Sequence, residues 1–274
     1  MPLPFSVLDH IVVNVRDGLD DALTLWERLG FVMMPRGHHT LASSNYLAVF
    51  GADYLELLGV HFGSMRTDVL DRPAGLNDLP FKTDDADTTY GGLHAAGLPA
   101  QAFSRPVEAL GGSRDTDFRI VGINWNAALA GRVFCCQHLT PDLVWNGSWQ
   151  WHGDGALGIS CVIIAADDPA SPVSLLSRMF DWNAVRPQDY GASMAAGLAQ
   201  VGLLTPDALR AEFSGAAPAA GGCTAWMAAL TLRTASLDSA VAALAAGGVP
   251  HARRPTGIVA PASELGGLAL MFQD

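Results

Sequence analysis

Hydrophobic and polar positions follow two periods along this chain, and the switch from one to the other recurs four times. Residues 8–15 form an apolar, strand-length run. A turn at Asp17 follows, then Leu19, Ala22, Leu23, Trp26 and Leu29 at helical spacing, then Gly30-Phe31. Residues 79–83, Asp84, a helix through Ala96 and Gly97-Leu98 repeat the series. Residues 159–166 lead to Asp168-Pro169, a helix through Phe180 and Asp181-Trp182. Residues 227–233 lead to a Thr/Ser turn, a helix through Gly247 and Gly248-Val249. Gly30 and Gly97 are 67 residues apart, and so are Asp181 and Gly248. Equal spacing within each half predicts two halves of two modules each.

Each helix start has a local cause. Asp17 and Asp84 are candidate caps, with Asp20 and Asp87 near the positive end of the helix dipole, and Pro169 suits a first helical position. Gly30, Gly97 and Gly248 suit the left-handed residue that ends a helix. Strand-like runs then follow at 31–35, 46–50 and 54–60 in the first module, and at 101–107, 118–124 and 132–139 in the second. Each module therefore reads as βαβββ. The third module is the least regular, and strands within 190–213 are not assigned. Residues 139–154, with Trp145, Trp149 and Trp151, link the halves as an ordered crossover or a lid.

Strand alternation decides which side chains share a face. In the first strand, Val7, Asp9, Ile11, Val13 and Val15 fall on one side, and His10 and Asn14 on the other. Tyr54, Glu56 and Leu58 share a face, as do Phe134, Cys136 and His138. Three strands thus each offer one polar donor on a single face: His10, Glu56 and His138. Two imidazoles and a carboxylate suit a divalent ion and leave positions open for substrate. A cation would also offset the cost of burying Glu56. The separations of 46 and 82 residues are no local metal motif, so convergence depends on the repeat.

Leu8-Asp9-His10-Ile11-Val12-Val13-Asn14-Val15, Trp26-Glu27-Arg28-Leu29-Gly30-Phe31 and Tyr54-Leu55-Glu56-Leu57-Leu58 together resemble the vicinal oxygen chelate superfamily. Within it the chain is similar to the glyoxalase-like domain proteins. The most specific stretch is Phe134-Cys135-Cys136-Gln137-His138-Leu139-Thr140-Pro141-Asp142-Leu143-Val144-Trp145. The resemblance is clear over 5–150 and weaker over 155–274. It implies an α+β fold in which tandem βαβββ modules pair into two cup-shaped domains of the glyoxalase, bleomycin-resistance and dioxygenase type. Residues 1–150 would form the domain with the metal site, and 155–274 a second, degenerate one. His10 matches the ligand of the first strand and Glu56 the carboxylate of the fourth. His138 falls on the last strand of module two, near where many relatives carry Glu. Phe81-Lys82-Thr83 lacks a ligand, which argues against a four-ligand site. In the second half Cys161 stands in the place of His10, and residues 268–272 carry no carboxylate. That half reads as a structural partner, or a ligand-shaping cup without metal.

Composition narrows the function. The net charge of −11, with a single lysine, argues against nucleic acid, and the pI near 5.0 disfavours anionic membranes. No long uncharged apolar window exists, and four cysteines without a C-x-x-C pair point to reduced thiols in a bacterial cytoplasmic protein, monomer or homodimer. No G-x-S-x-G elbow or phosphate loop occurs. The expected cofactor is a divalent metal (Fe(II), Mn(II), Zn(II) or Ni(II)) on His10, Glu56 and His138, with Glu56 and His138 also in the catalytic role. Asn14, Asn45, Arg36 and Trp125 are the expected contacts to a small oxygenated substrate. The expected reaction is isomerase, lyase or extradiol-type dioxygenase chemistry, and the alternative is metal-free sequestration in a Trp-lined cup.

Overall fold

Two eight-stranded sheets account for the repeated pattern in the computed structural model, which describes residues 3, 6–39, 42–61, 63–64, 66–109, 115–123, 131–181 and 183–274. The first half runs β1 (His10–Arg16), α1 (Leu19–Arg28), β2 (Gly37–His39), β3 (Ser43–Val49), β4 (Tyr54–Val60), α2 (Thr67–Leu70), β5 (Gly75–Lys82), α3 (Ala86–Ala95), β6 (Ala100–Ala109), β7 (Thr116–Ile123), β8 (Arg132–His138) and α4 (Pro141–Val144). The second runs β9 (Ala156–Ala166), α5 (Ala170–Phe180), β10 (Val185–Gln188), β11 (Gly191–Ala196), β12 (Ala199–Leu204), α6 (Pro206–Phe213), β13 (Ala225–Thr234), α7 (Leu237–Ala246), β14 (Ala252–Arg254), β15 (Gly257–Ala260) and β16 (Ala269–Gln273).

The first sheet has the order β1-β4-β3-β2-β6-β7-β8-β5 and closes into a barrel. The second, β10-β11-β12-β9-β13-β16-β15-β14, stays open. In each, the two module-leading strands pair antiparallel, β1 with β5 and β9 with β13. The closing contact of the barrel is β2 with β6, which places His39 opposite Val107. Residues 31–35, read as strand-like, carry no strand, and the ladder starts only at Gly37.

The caps shift by one residue. Gly18 precedes α1 without a side-chain cap, while Asp85 caps α3 by accepting from Asp87 N–H and Thr88 N–H. Gln137, on the outer face of β8, adds to that cap by accepting from Ala86 N–H at 3.1 Å. The unassigned stretch of the third module resolves into β11, β12 and α6.

Ile11, Val13, Leu55, Leu57 and Cys135 on the outer face of the barrel share one buried apolar cluster with Val162, Ile164, Leu203 and Leu230 of the second sheet. The long helices meet there too. Arg28 at the end of α1 donates to Gly247 O, Arg178 of α5 donates to Gly97 O at 2.7 Å, and Phe81 packs on Phe180 with ring centroids 4.7 Å apart. Residues 139–154 are an ordered crossover. His152 Nδ1 accepts from Val32 N–H at 3.0 Å and its Nε2 bonds Val49 O at 3.0 Å, while Gly153 N–H donates to Gly30 O at 2.7 Å. Among the described residues no helix is long and apolar enough to cross a membrane, and all four cysteines are free thiols.

Candidate metal centre

The inner face of the barrel carries the expected donors, but not in the expected grouping. β1 and β4 run parallel with Val12 opposite Glu56, so His10 and Glu56 lie on the same interior wall. His10 Nε2 stands 3.6 Å from Glu56 Oε2. The third group near that carboxylate is His39, whose Nε2 lies 3.8 Å from Glu56 Oε1. Both separations exceed hydrogen-bond reach. Two ligands of one tetrahedral ion with bonds near 2.1 Å are about 3.4 Å apart, close to each of these separations, with the two histidines facing different oxygens of the carboxylate.

The partners of these three groups fix their orientation. His10 Nδ1–H donates to Asp9 Oδ2 at 2.6 Å, which leaves the Nε2 lone pair aimed at Glu56. Tyr54 stacks on the His10 ring, with centroids 4.4 Å apart and planes 9° from parallel. Asn45 Nδ2 donates to Glu56 Oε1 at 2.8 Å. Gly37 makes room for that amide, because a Cβ there would sit 2.4 Å from Asn45 Oδ1. His39 Nδ1 lies 2.9 Å from Ser43 Oγ, which also accepts from Arg66 Nη1 at 3.0 Å.

Electrostatics keep Glu56 and His39 in ligand form. Burial is the largest influence on Glu56 and pushes its carboxyl upward, but His39, His10 and the Asn45 amide pull it below its ordinary value. Burial pulls His39 down to about 4, helped by the charges of Arg105, Arg66 and Arg132 against the opposing pull of Glu56. At neutral pH it is an uncharged imidazole beside an ionised carboxylate. Burial opposes ionisation of Asp9, yet hydrogen bonds from His10 and His138 hold it well below the usual carboxylate range.

His138, expected as the third ligand, turns elsewhere. It lies on the inner face of β8, and its Nε2–H donates to Asp9 Oδ2 at 2.9 Å and faces Oδ1 at 3.1 Å. Asp9 thus joins the two histidines, with His10 between His138 and the Glu56 carboxylate. Strict alternation puts Asp9 on the outer face, but the register against β5 shifts by one residue between the Leu8–Phe81 bridge and the Val12–Asp78 pair, and alternation does not hold across such an irregularity. Asp9, Cys136 and His138 also bring one ligand atom each to within 4.8 Å of one another. There burial, with the Asp9 and Glu56 charges, pushes the Cys136 thiol well above its ordinary value, and Asp9 is already bonded on both sides.

The expected substrate contacts divide in the same way. Asn45 is in the cup, holding Glu56. Asn14 is fully buried and saturated by backbone. Its Nδ2 donates to Val69 O at 2.9 Å and Pro73 O at 3.2 Å, and its Oδ1 accepts from Arg16 N–H at 3.0 Å. It fastens the segment after β4, with both amide hydrogens spent on backbone carbonyls. Arg36 is on the outer face, where Nε–H donates to Tyr46 Oη at 2.9 Å and the guanidinium pairs with Asp20. Trp125 lies outside the described residues. Arg119 pairs with Asp87 at 2.8 Å.

The family described as Glyoxalase-like domain matches residues 8–180. No protein of curated function matches the chain in sequence. Among solved structures, a hypothetical protein from Staphylococcus aureus superposes with a TM-score of 0.68 at 11% identity, covering 97% of this chain and 98% of its own. A mutant of 4-hydroxymandelate synthase from Streptomyces coelicolor gives 0.57 at 14% identity, over 98% of this chain and 92% of its own. A xylose isomerase-like TIM barrel/4-hydroxyphenylpyruvate dioxygenase fusion protein gives 0.56 at 12% identity, over 100% of this chain and 50% of its own. At these identities the likeness is one of fold.

Proposed function

Because the chain belongs to the glyoxalase-like domain family, within the vicinal oxygen chelate fold, we propose that it is a divalent-metal-dependent enzyme whose ligands are His10, His39 and Glu56. The observation that carries this reading is the placing of two imidazole nitrogens 3.6 and 3.8 Å from one buried carboxylate. Fe(II), Mn(II), Zn(II) and Ni(II) all accept such a set. What the ion supplies when bound is Lewis-acid neutralisation of charge on one or two adjacent substrate oxygens.

The chain's own residues do the rest. Asp9 fixes the tautomer and tilt of His10, and Asn45 holds one oxygen of Glu56. Ser43 and Arg66 hold His39. Tyr54, Phe134 and Phe118 wall the interior and exclude water. The charges of Arg105, Arg66 and Arg132 all act on His39. Three ligands leave open positions, which suits isomerase, lyase or extradiol-type chemistry, and a dioxygenase is named among the structural neighbours.

Reconstitution under reducing, anaerobic conditions tests the reading. Wild type is expected to retain about one equivalent of ion per chain, and Glu56→Ala less than about a tenth. An equal content in both proteins would refute it. The second reading, a metal-free container for aromatic molecules, draws on the same aromatic wall, which includes Trp145. It predicts tryptophan quenching by aromatic ligands that a chelator leaves unchanged.

A further inference from the structure

Beside the candidate centre, the barrel wall holds two buried polar atoms of opposite hydrogen-bonding sense. His138 has a side chain only 8% exposed. Its Nε2–H is committed to Asp9, so Nδ1 is a bare acceptor. Trp145 Nε1–H can only donate. Neither atom has a hydrogen-bond partner among the described residues. The two rings are neighbours, with centroids 4.6 Å apart and planes 51° from parallel. Buried and unpaired, each atom costs free energy that a suitable ligand would recover.

We propose that His138 Nδ1 and Trp145 Nε1 form a hydroxyl-recognition subsite, in which a substrate O–H donates to His138 while its oxygen accepts from Trp145. The chemistry of the surroundings selects a hydroxyl on carbon over a lone water. A buried water makes about three bonds, within a range of two to four, and this place offers two, whereas a carbon-borne hydroxyl makes both and brings its carbon against the rings. Rings stand beside it: Phe118 at 4.8 Å from His138, and Tyr54 at 6.1 Å from His138 and 6.0 Å from Trp145. They suit the carbon that bears the hydroxyl. Trp145 is the outer ring of the group, half-buried after α4, with the Lys82 ammonium 4.5 Å from its centre.

The subsite deepens the metal-centre reading and rests on it only for calling the occupant a substrate. Its geometry makes the hydroxyl a second point of recognition, one carboxylate and one imidazole away from Glu56. The same pair rejects an analogue that lacks the hydroxyl, because both polar atoms then stay unpaired.

The test uses full-length, metal-free protein labelled with ¹⁵N at histidine and tryptophan. Two isomeric probes, n-butanol and diethyl ether, are titrated while the ring nitrogens are followed by NMR. n-Butanol is expected to move both His138 Nδ1 and Trp145 Nε1 and to bind about fivefold more tightly than the ether, the worth of one net hydrogen bond. His138→Phe and Trp145→Phe, checked for folding by thermal melting, are each expected to bring the alcohol down to the level of the ether. If n-butanol moves neither resonance, or both probes bind wild type equally, the subsite is refuted without recourse to a variant. Zinc titration of the same samples reports the metal centre separately, so failure of one leaves the other standing.

Discussion

The two cups share a topology and differ in what fills them. In the barrel, Glu56 lies opposite Val12, two residues beyond His10. In the open sheet, Gly202 lies opposite Ile163, two residues beyond Cys161. The carboxylate position is therefore a glycine, and the imidazole position a thiol that burial pushes up to about 12. A Cβ on Gly202 would stand 2.9 Å from Ile163 Cδ1. The space is taken by the chain itself: Leu209 and Phe213 of α6 pack with Trp226 and Met271 over that face. One βαβββ pair thus keeps an interior of imidazoles, carboxylates and guanidiniums, and the other exchanges it for an apolar plug. The fold tolerates either filling, and polar satisfaction marks the half that is built to take a ligand.

The largest expected effect breaks the contrast outright. Glu56→Ala should weaken ion binding by more than about a thousandfold, over ~4 kcal/mol, in equilibrium dialysis. Removing the plug tests the other cup. Phe213→Ala should cost about 3–5 kcal/mol in urea unfolding, as for any large buried aromatic, and leave ion affinity within about twofold. Loss of both stability and ion would mean that the second half shapes the site. Asp9→Asn sharpens the picture within the barrel. It should lower ion affinity about 10–100-fold, because His10 loses the partner that orients it.

The smallest effect concerns the join between the halves. Burial raises Asp154 to about 7, and one of its oxygens has no hydrogen-bond partner among the described residues. The native state then holds a proton that the unfolded chain releases near pH 4. Between about pH 4 and 7 native Asp154 binds more protons than unfolded Asp154, so its contribution to stability falls as pH rises through that window and levels off above it. Asp154→Asn should flatten that part of the profile and exceed wild type by about 1–2 kcal/mol at pH 8 in chemical denaturation. Parallel profiles for the two proteins would show that Asp154 stays ionised in the fold.

The repeat, the strand faces and the family were legible because β1, β4 and β8 are long and apolar enough to alternate clearly. His10, Glu56 and Asn45 follow from them. His39 was not legible as a ligand. Its strand is only Gly37-His38-His39, with little β propensity of its own, and it exists because β6 closes the barrel against it. In the residue pattern His39 belongs only to a short basic segment, Arg36-Gly37-His38-His39. His138 was placed on the right face, but its ring direction depends on Asp9, which stands just outside the ladder. Asn14 and Arg36 show the remaining limit. A polar residue near a site is as readily spent on backbone carbonyls or a neighbouring helix as on a ligand, and only coordinates tell which.

Cobalt(II) titration, followed by electronic absorption, puts the ligand set to the most direct test. Wild type should take up about one Co(II) with d–d bands of nitrogen and oxygen ligation and no thiolate-to-cobalt charge transfer. Those bands should vanish in His39→Ala and persist in His138→Ala. A thiolate band that depends on Cys136, or a site that survives His39→Ala and is lost in His138→Ala, would contradict the account.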